Sequence, residues 1–161
     1  MFRRVLLPLV LMSALAGQNA GYVARQLADF KSGRRKSSAM GPMVEELSAA
    51  DFAALGAFYA SRAPVGHKIE DPELAEVGRF VYRRGNPYSG VAACIGCHGA
   101  EGHGTDNLPR LAGQHAQYIE SQLKLFSKRE RTNDNAVMHG IASLLNELET
   151  KAVAAYLSGL R

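Results

Sequence analysis

Residues 94–98 of the chain read Cys94-Ile95-Gly96-Cys97-His98. Two thiols three positions apart on a helical turn can add to the two vinyl groups of one haem. The adjacent histidine then offers its imidazole to the iron from the same side, and C-x-x-C-H is the attachment sequence of c-type haem. The same two cysteines admit other chemistry. They could supply half of a zinc site, with His67, His103, His115 and His139 as further donors, although no second Cys-x-x-Cys or His-x-x-x-His follows. They could be a thioredoxin-like dithiol, but that motif belongs to a strand–helix–strand context that the sequence does not show. A plain disulfide is the remaining reading.

Haem iron in an electron carrier needs a sixth ligand that stays bound in both oxidation states, and a methionine thioether does this while raising the potential. Met138 is the candidate. It follows the polar run Arg131-Thr-Asn-Asp-Asn-Ala-Val137 and precedes the last helical segment. His139 is the adjacent rival, and His/His ligation would lower the potential instead. If neither bound, the open position would suit a haem enzyme or a gas sensor, distinguishable by carbon monoxide binding to the ferrous form.

The elements that must position these residues read as helices. Val23, Leu27 and Phe30 share a face at helical spacing, as do Phe52, Leu55 and Tyr59. So do Leu74, Val77 or Gly78, and Val81; then Ile119, Leu123 and Phe126; and finally Leu148, Ala152, and Ala155 or Tyr156. Asp71-Pro72-Glu73 predicts an N-cap followed by proline in the first turn, and Ser48 with Asp51 predicts a second cap. No segment alternates convincingly as a strand, so the expected fold class is all-α. Residues 61–70, with Pro64 and Gly66, read as a linker.

The chain also repeats itself. Leu15-Ala-Gly-Gln-Asn-Ala-Gly-Tyr-Val-Ala-Arg-Gln-Leu-Ala-Asp-Phe30 and Leu111-Ala-Gly-Gln-His-Ala-Gln-Tyr-Ile-Glu-Ser-Gln-Leu-Lys-Leu-Phe126 are identical at nine of sixteen positions. Each copy runs through a basic, polar loop to a methionine, Met43 or Met138, and on to a second helix. The second unit has about forty residues before its Leu-Ala-Gly-Gln, including the cysteines, and the first has nothing comparable. The predicted division is therefore a half unit at 17–60, the linker, and a complete unit at 71–161.

With 161 residues, 47% hydrophobic, the chain suits one domain or two very small ones, and it is too apolar to be disordered. Two cysteines exclude a disulfide-dense scaffold. No apolar run is long enough to span a bilayer, yet Arg3, Arg4, the apolar stretch from Val5 and Ala14-Leu15-Ala16 have the composition of a secretory signal over residues 1–16. Removing it takes two arginines and no acid, leaving seventeen basic residues against fifteen acidic ones, a formal charge of +2. Arg34, Arg35, Lys36, Lys124, Lys128, Arg129 and Arg131 are scattered and read as solvated helix faces, so no nucleic-acid partner is expected.

Residues 71–161 resemble a class I cytochrome c domain. The repeat resembles more specifically the two-domain dihaem cytochromes c of the c-four group. The matching pieces are Gly90-Val-Ala-Ala-Cys-Ile-Gly-Cys-His-Gly99, Leu108-Pro-Arg-Leu-Ala-Gly-Gln114, Arg131-Thr-Asn-Asp134 and Met138-His-Gly-Ile-Ala142. The resemblance implies one covalent haem c on Cys94 and Cys97, with His98 and Met138 as axial ligands. It implies a hydrogen bond from the His98 ring to the Pro109 carbonyl, and contact of Gly78 and Tyr82 with the C-terminal helix near Tyr156. It further implies a periplasmic, non-enzymatic carrier passing single electrons between redox proteins, with a terminal oxidase as one acceptor it is compatible with, and leaves peripheral membrane association open. The first unit departs from the group: it has no CxxCH, and Met43 reads as a remnant without haem.

Overall fold

The computed structural model describes residues 15–161, so nearly all of the expected signal segment at 1–16 lies outside the described residues. Eight helices are present among them: α1 (Ala20–Lys31), α2 (Met40–Val44), α3 (Ala49–Ala60), α4 (Pro72–Arg84), α5 (Ile95–His98), α6 (Ala116–Ser127), α7 (Val137–Ala142) and α8 (Glu147–Gly159). Among the described residues there is no strand, and the one sheet-like feature is an isolated bridge between Asn86 and Val91. The fold is all-helical, as the periodicity predicts.

Local chemistry sets the helix ends. The Asp71 carboxylate accepts from the Leu74 amide (2.9 Å), and Pro72 occupies the first turn, where its missing N–H costs nothing. Ser48 and Asp51 form a reciprocal capping box at α3. Asn146 and Glu149 do the same at α8.

The buried apolar residues form two clusters. Val23, Leu27, Val44 and Phe52 bring α1 and α3 together. Ala75, Val81, Tyr82, Val91, Ile119, Val153, Ala154, Tyr156 and Leu157 form the larger cluster around α4, α6 and α8. At the α4–α8 crossing, Gly78 lies so close to the Ala152 carbonyl that a Cβ would overlap it. The Tyr82 and Tyr156 rings meet at 5.6 Å between centroids, which is the contact the resemblance implies. Residues 61–70 form no helix and run against the end of α8, where the His67 amide donates to the Ser158 carbonyl (3.0 Å).

Two features differ from the sequence reading. Leu148 is 59% exposed, and the buried face of α8 begins instead at Glu149 and Thr150. The Glu149 carboxylate is drawn inward because it closes the capping box with one oxygen and accepts from Asn86 Nδ2 (2.6 Å) with the other. Arg35 and Arg131 are not solvated: both are buried, in the loops after α1 and α6 rather than on helix faces. Each guanidinium stacks on a phenylalanine of its own unit, Arg35 on Phe30 and Arg131 on Phe126.

Candidate functional site

Cys94, Cys97 and His98 sit on one tight turn. The Cys97 amide donates to the Cys94 carbonyl (3.2 Å), as does the His98 amide (3.0 Å), so all three side chains project from a single helical turn. Both thiols are free, Cys94 half-buried and Cys97 exposed. Burial pushes the Cys94 thiol up to about 11. Tyr82, fully buried on α4, donates from its hydroxyl to the Gly99 carbonyl (2.6 Å) and so ties the α4–α8 crossing to this turn.

His98 is 6% exposed. Its Nδ1 lies 3.2 Å from the Pro109 carbonyl. A carbonyl can only accept, so Nδ1 carries the proton and Nε2 presents a bare lone pair. Burial lowers the His98 pKa, against the opposing pull of the Pro109 hydrogen bond, and this favours the neutral imidazole a metal requires. The loop between them is tightly folded. The Gly104 amide donates to the His98 carbonyl (2.9 Å), and Gly104 has φ +68°, where a Cβ would run into the carbonyls of Leu108 and Pro109. That glycine lets Pro109 reach the imidazole.

Met138 lies half-buried in the first turn of α7, two residues beyond the loop 131–136. The Asp134 carboxylate accepts from the His139 amide (3.0 Å), and His139 Nδ1 donates to the Phe126 carbonyl (3.0 Å), which pins the rival ring to the end of α6. Met43, its counterpart in the repeat, is 61% exposed. The other histidines stand apart from the cysteines: His67 and His115 pair their rings at 4.2 Å, and His103 Nε2 contacts the Arg161 carbonyl (3.0 Å). Among the described residues no group of three or more His, Cys, Asp or Glu side chains is placed to hold a metal ion.

The residues present fit a covalent haem. The two thiols are unpaired, a neutral imidazole offers Nε2, and Cys94, Ile95, Leu111, Leu123, Ile141 and Leu145 are half-buried apolar side chains packed against the larger core cluster. Apolar surface left partly open in this way is what an apolar macrocycle would cover.

Sequence reading missed a set of polar residues, about half of them buried, that join the two units. Gln18, Gln26, Asp29 and Arg35 from the first face Arg110, Tyr118, Gln122, Arg131 and Asn133 from the second. The signal was available, because Gln18, Gln26 and Arg35 recur as Gln114, Gln122 and Arg131 in the repeat.

The Cytochrome c family profile matches residues 83–161. Cytochrome c4 of Thiocapsa roseopersicina is 44% identical over 150 residues, covering 91% of this chain and 77% of that one. The thiosulfate dehydrogenase electron acceptor of Thiomonas intermedia is 37% identical over 148 residues, covering 89% and 68%. The crystal structure of reduced recombinant cytochrome c4 from Pseudomonas stutzeri superposes with a TM-score of 0.86 at 35% identity, covering 91% of this chain and 84% of that one. A C-x-x-C-H turn with its imidazole backed by a prolyl carbonyl, in an all-helical frame of that shape, belongs to a c-type electron-transfer protein: the chain is a member of the cytochrome c family and a homologue of the cytochromes c4.

Proposed function

We propose that the chain is a periplasmic carrier of single electrons with one haem c, held by thioethers at Cys94 and Cys97 and ligated through the iron by His98 and Met138. When bound, the haem supplies the ferric/ferrous couple. The observation that carries the reading is the buried His98, whose Nδ1 is committed to Pro109 so that Nε2 is left for the iron. Pro109 fixes the tautomer and the ring plane and raises the basicity of the coordinating nitrogen. Tyr82 and α4 hold the cysteine turn from behind. With haem bound, Met138 would supply a thioether ligand that raises the potential and leaves no vacancy for substrate at the iron, so the chain would move electrons rather than transform a substrate.

In this reading residues 1–16 are a cleaved export signal, residues 17–60 a half domain without haem, residues 61–70 a linker, and residues 71–161 the haem domain. The partners are redox proteins docking transiently at the haem edge. A thiosulfate-oxidising dehydrogenase fits as donor, by analogy with the named role of the Thiomonas relative, and a terminal oxidase fits as acceptor.

The test is intact mass with a reduced-minus-oxidised spectrum, on protein exported through a c-type maturation system. Chain mass plus one haem, with the weak ferric methionine-to-iron band at the red end of the visible spectrum, is expected. A chain without covalent haem refutes the proposal and returns the cysteines to thiol or zinc chemistry.

A further inference from the structure

The first unit bonds to the second through α1, the two residues before it and Arg35 after it. Two of these contacts fall on the segments that lead to His98's partner Pro109 and to Met138. At the first, Gln18 Nε2 donates to the Arg110 carbonyl (2.9 Å), and Gln18 Oε1 accepts from the Arg110 amide (2.7 Å). Asn19 Nδ2 donates to the carbonyls of His103 and Leu108, both at 3.0 Å. Pro109, the hydrogen-bond acceptor of His98, is thus held through the residues on both sides of it.

At the second, two turns further along α1, Gln26 Oε1 accepts from Arg131 Nη2 (3.0 Å) and from Asn133 Nδ2 (3.0 Å). Asp29 Oδ2 accepts from Asn133 Nδ2 (2.7 Å), and the Tyr22 hydroxyl accepts from Arg131 Nη2 (3.1 Å). Gln26 and Asp29 are both buried. Arg131 and Asn133 open the loop that ends at Met138.

That loop is under backbone strain. Asn135 and Ala136, immediately before the Met138 helix, have φ of +52° and +65° without being glycine. Such conformations persist only where the surroundings over-determine them. The bonds from α1 supply that constraint from one side, and Asp134, accepting from the Ala136 and His139 amides, supplies it from the other.

We propose that α1, with Gln18 and Asn19, is a strut that sets both axial ligands at once. Gln26 and Asn133 are positioning residues for Met138, and Gln18 is a positioning residue for His98 through Pro109. The proposal rests on the reading of His98 and Met138 as ligands, and it gives the first unit a task that needs no haem of its own. A neutral thioether is a weak ligand, so a loop held in place keeps it on the iron where a slack loop would release it.

The test is titration of the ferric holoprotein with imidazole, which competes with Met138, followed by loss of the red methionine-to-iron band. Asn133→Ala and Gln26→Ala are each expected to raise the apparent imidazole affinity about tenfold. The double variant should gain less than the two single effects combined, because the Asn133–Gln26 hydrogen bond is lost in both. Arg25→Ala, which removes a bond between the units to the Asn107 carbonyl, on the Pro109 side and away from the Met138 loop, should leave the imidazole affinity unchanged. Gln18→Ala acts on the other arm: a looser Pro109 weakens the pull on His98 Nδ1 and raises the reduction potential. Asn133 is only half-buried, so its variant keeps the fold even if Gln26→Ala does not. Parent affinity in Asn133→Ala, with a parent band present, overturns the strut alone. Absence of the band in the unsubstituted holoprotein overturns the His98/Met138 reading, and the strut with it.

Discussion

Gly78→Ala is the sharpest test of how the frame behind the cysteine turn is built. A Cβ at this position would overlap the carbonyl carbon and oxygen of Ala152 and come within 2.9 Å of the Val153 nitrogen. These are backbone atoms of α8, with no side-chain end that can swing aside. The helices must therefore part by more than roughly 1 Å, enough to forfeit a quarter to a half of each dispersion contact along the seam. The seam includes Ala75, Val81, Tyr82, Val153, Tyr156 and Leu157. Overpacking of this kind costs about 3 kcal/mol. Alanine returns about 1 kcal/mol through its better helix propensity. The net loss is about 2 kcal/mol, roughly a thirtyfold fall in the folded-to-unfolded ratio. Guanidinium denaturation of the holoprotein, followed by helical circular dichroism, should show a lower midpoint at unchanged slope. Gly41→Ala on α2, where a Cβ meets nothing within 4 Å, serves as control and should match the parent or exceed it by up to about 1 kcal/mol through helix propensity. A Gly78→Ala protein as stable as the parent would refute the close-crossing argument.

Replacing Cys94 and Cys97 together by serine should yield exported chain with no covalent haem, read by intact mass; haem retained through hydrolysis-resistant linkage would contradict the assignment. Tyr82→Phe removes the hydroxyl bond to the Gly99 carbonyl and leaves that carbonyl short of a donor, for a loss of about 1 kcal/mol in the same denaturation assay. For His115, burial, with the charge of His67 second, lowers the pKa below the ordinary imidazole value of about 6.5. The folded chain then binds fewer protons than the unfolded one, so this contribution to stability is complete above that pH and is lost as pH falls towards the folded pKa. Nuclear magnetic resonance of the imidazole protons should show His115 titrating low, and His67→Gln should move it upwards.

The residues proposed to hold the haem stand out in sequence because the spacing of a C-x-x-C-H turn is matched to a small molecule of fixed size. Cys94, Cys97 and His98 need no tertiary knowledge to be found. The helix starts at Asp71 and Ser48 are legible because a cap is a contact of three or four residues. Reading failed where the decision lay between distant partners. Leu148 looked like a core residue by type, but the inward pull on Glu149 comes from Asn86, sixty-three positions away. Arg35 and Arg131 looked solvated because charge usually is, yet each has an aromatic face to lie on and glutamine carbonyls to bond. Fold class survived such errors, since the apolar period depends on many residues and the errors concern one each.

The contact between the units shows why the repeat matters to the site. Tyr22, Gln26, Phe30 and Arg35 recur at one constant offset as Tyr118, Gln122, Phe126 and Arg131. Arg35 donates to the carbonyls of Gln26 (2.7 Å) and Gln122 (2.9 Å), and Arg131 donates to the same two carbonyls (3.0 and 2.8 Å). Each arginine also reaches the tyrosine of the opposite unit. This is the self-complementary pattern of a two-fold interface, with both halves written in one chain. A symmetric array alone would grip both units alike. The symmetry breaks at Asn133 and Asp29. Their counterparts at the same offset are Ser37, whose hydroxyl turns back to accept from the Met40 amide (3.1 Å), and Leu125, which has no polar group to offer. The buried carboxylate and the amide that binds it therefore exist on one side only, and that side is the loop leading to Met138. The array joins the two units, and the departure from it directs the grip at the methionine.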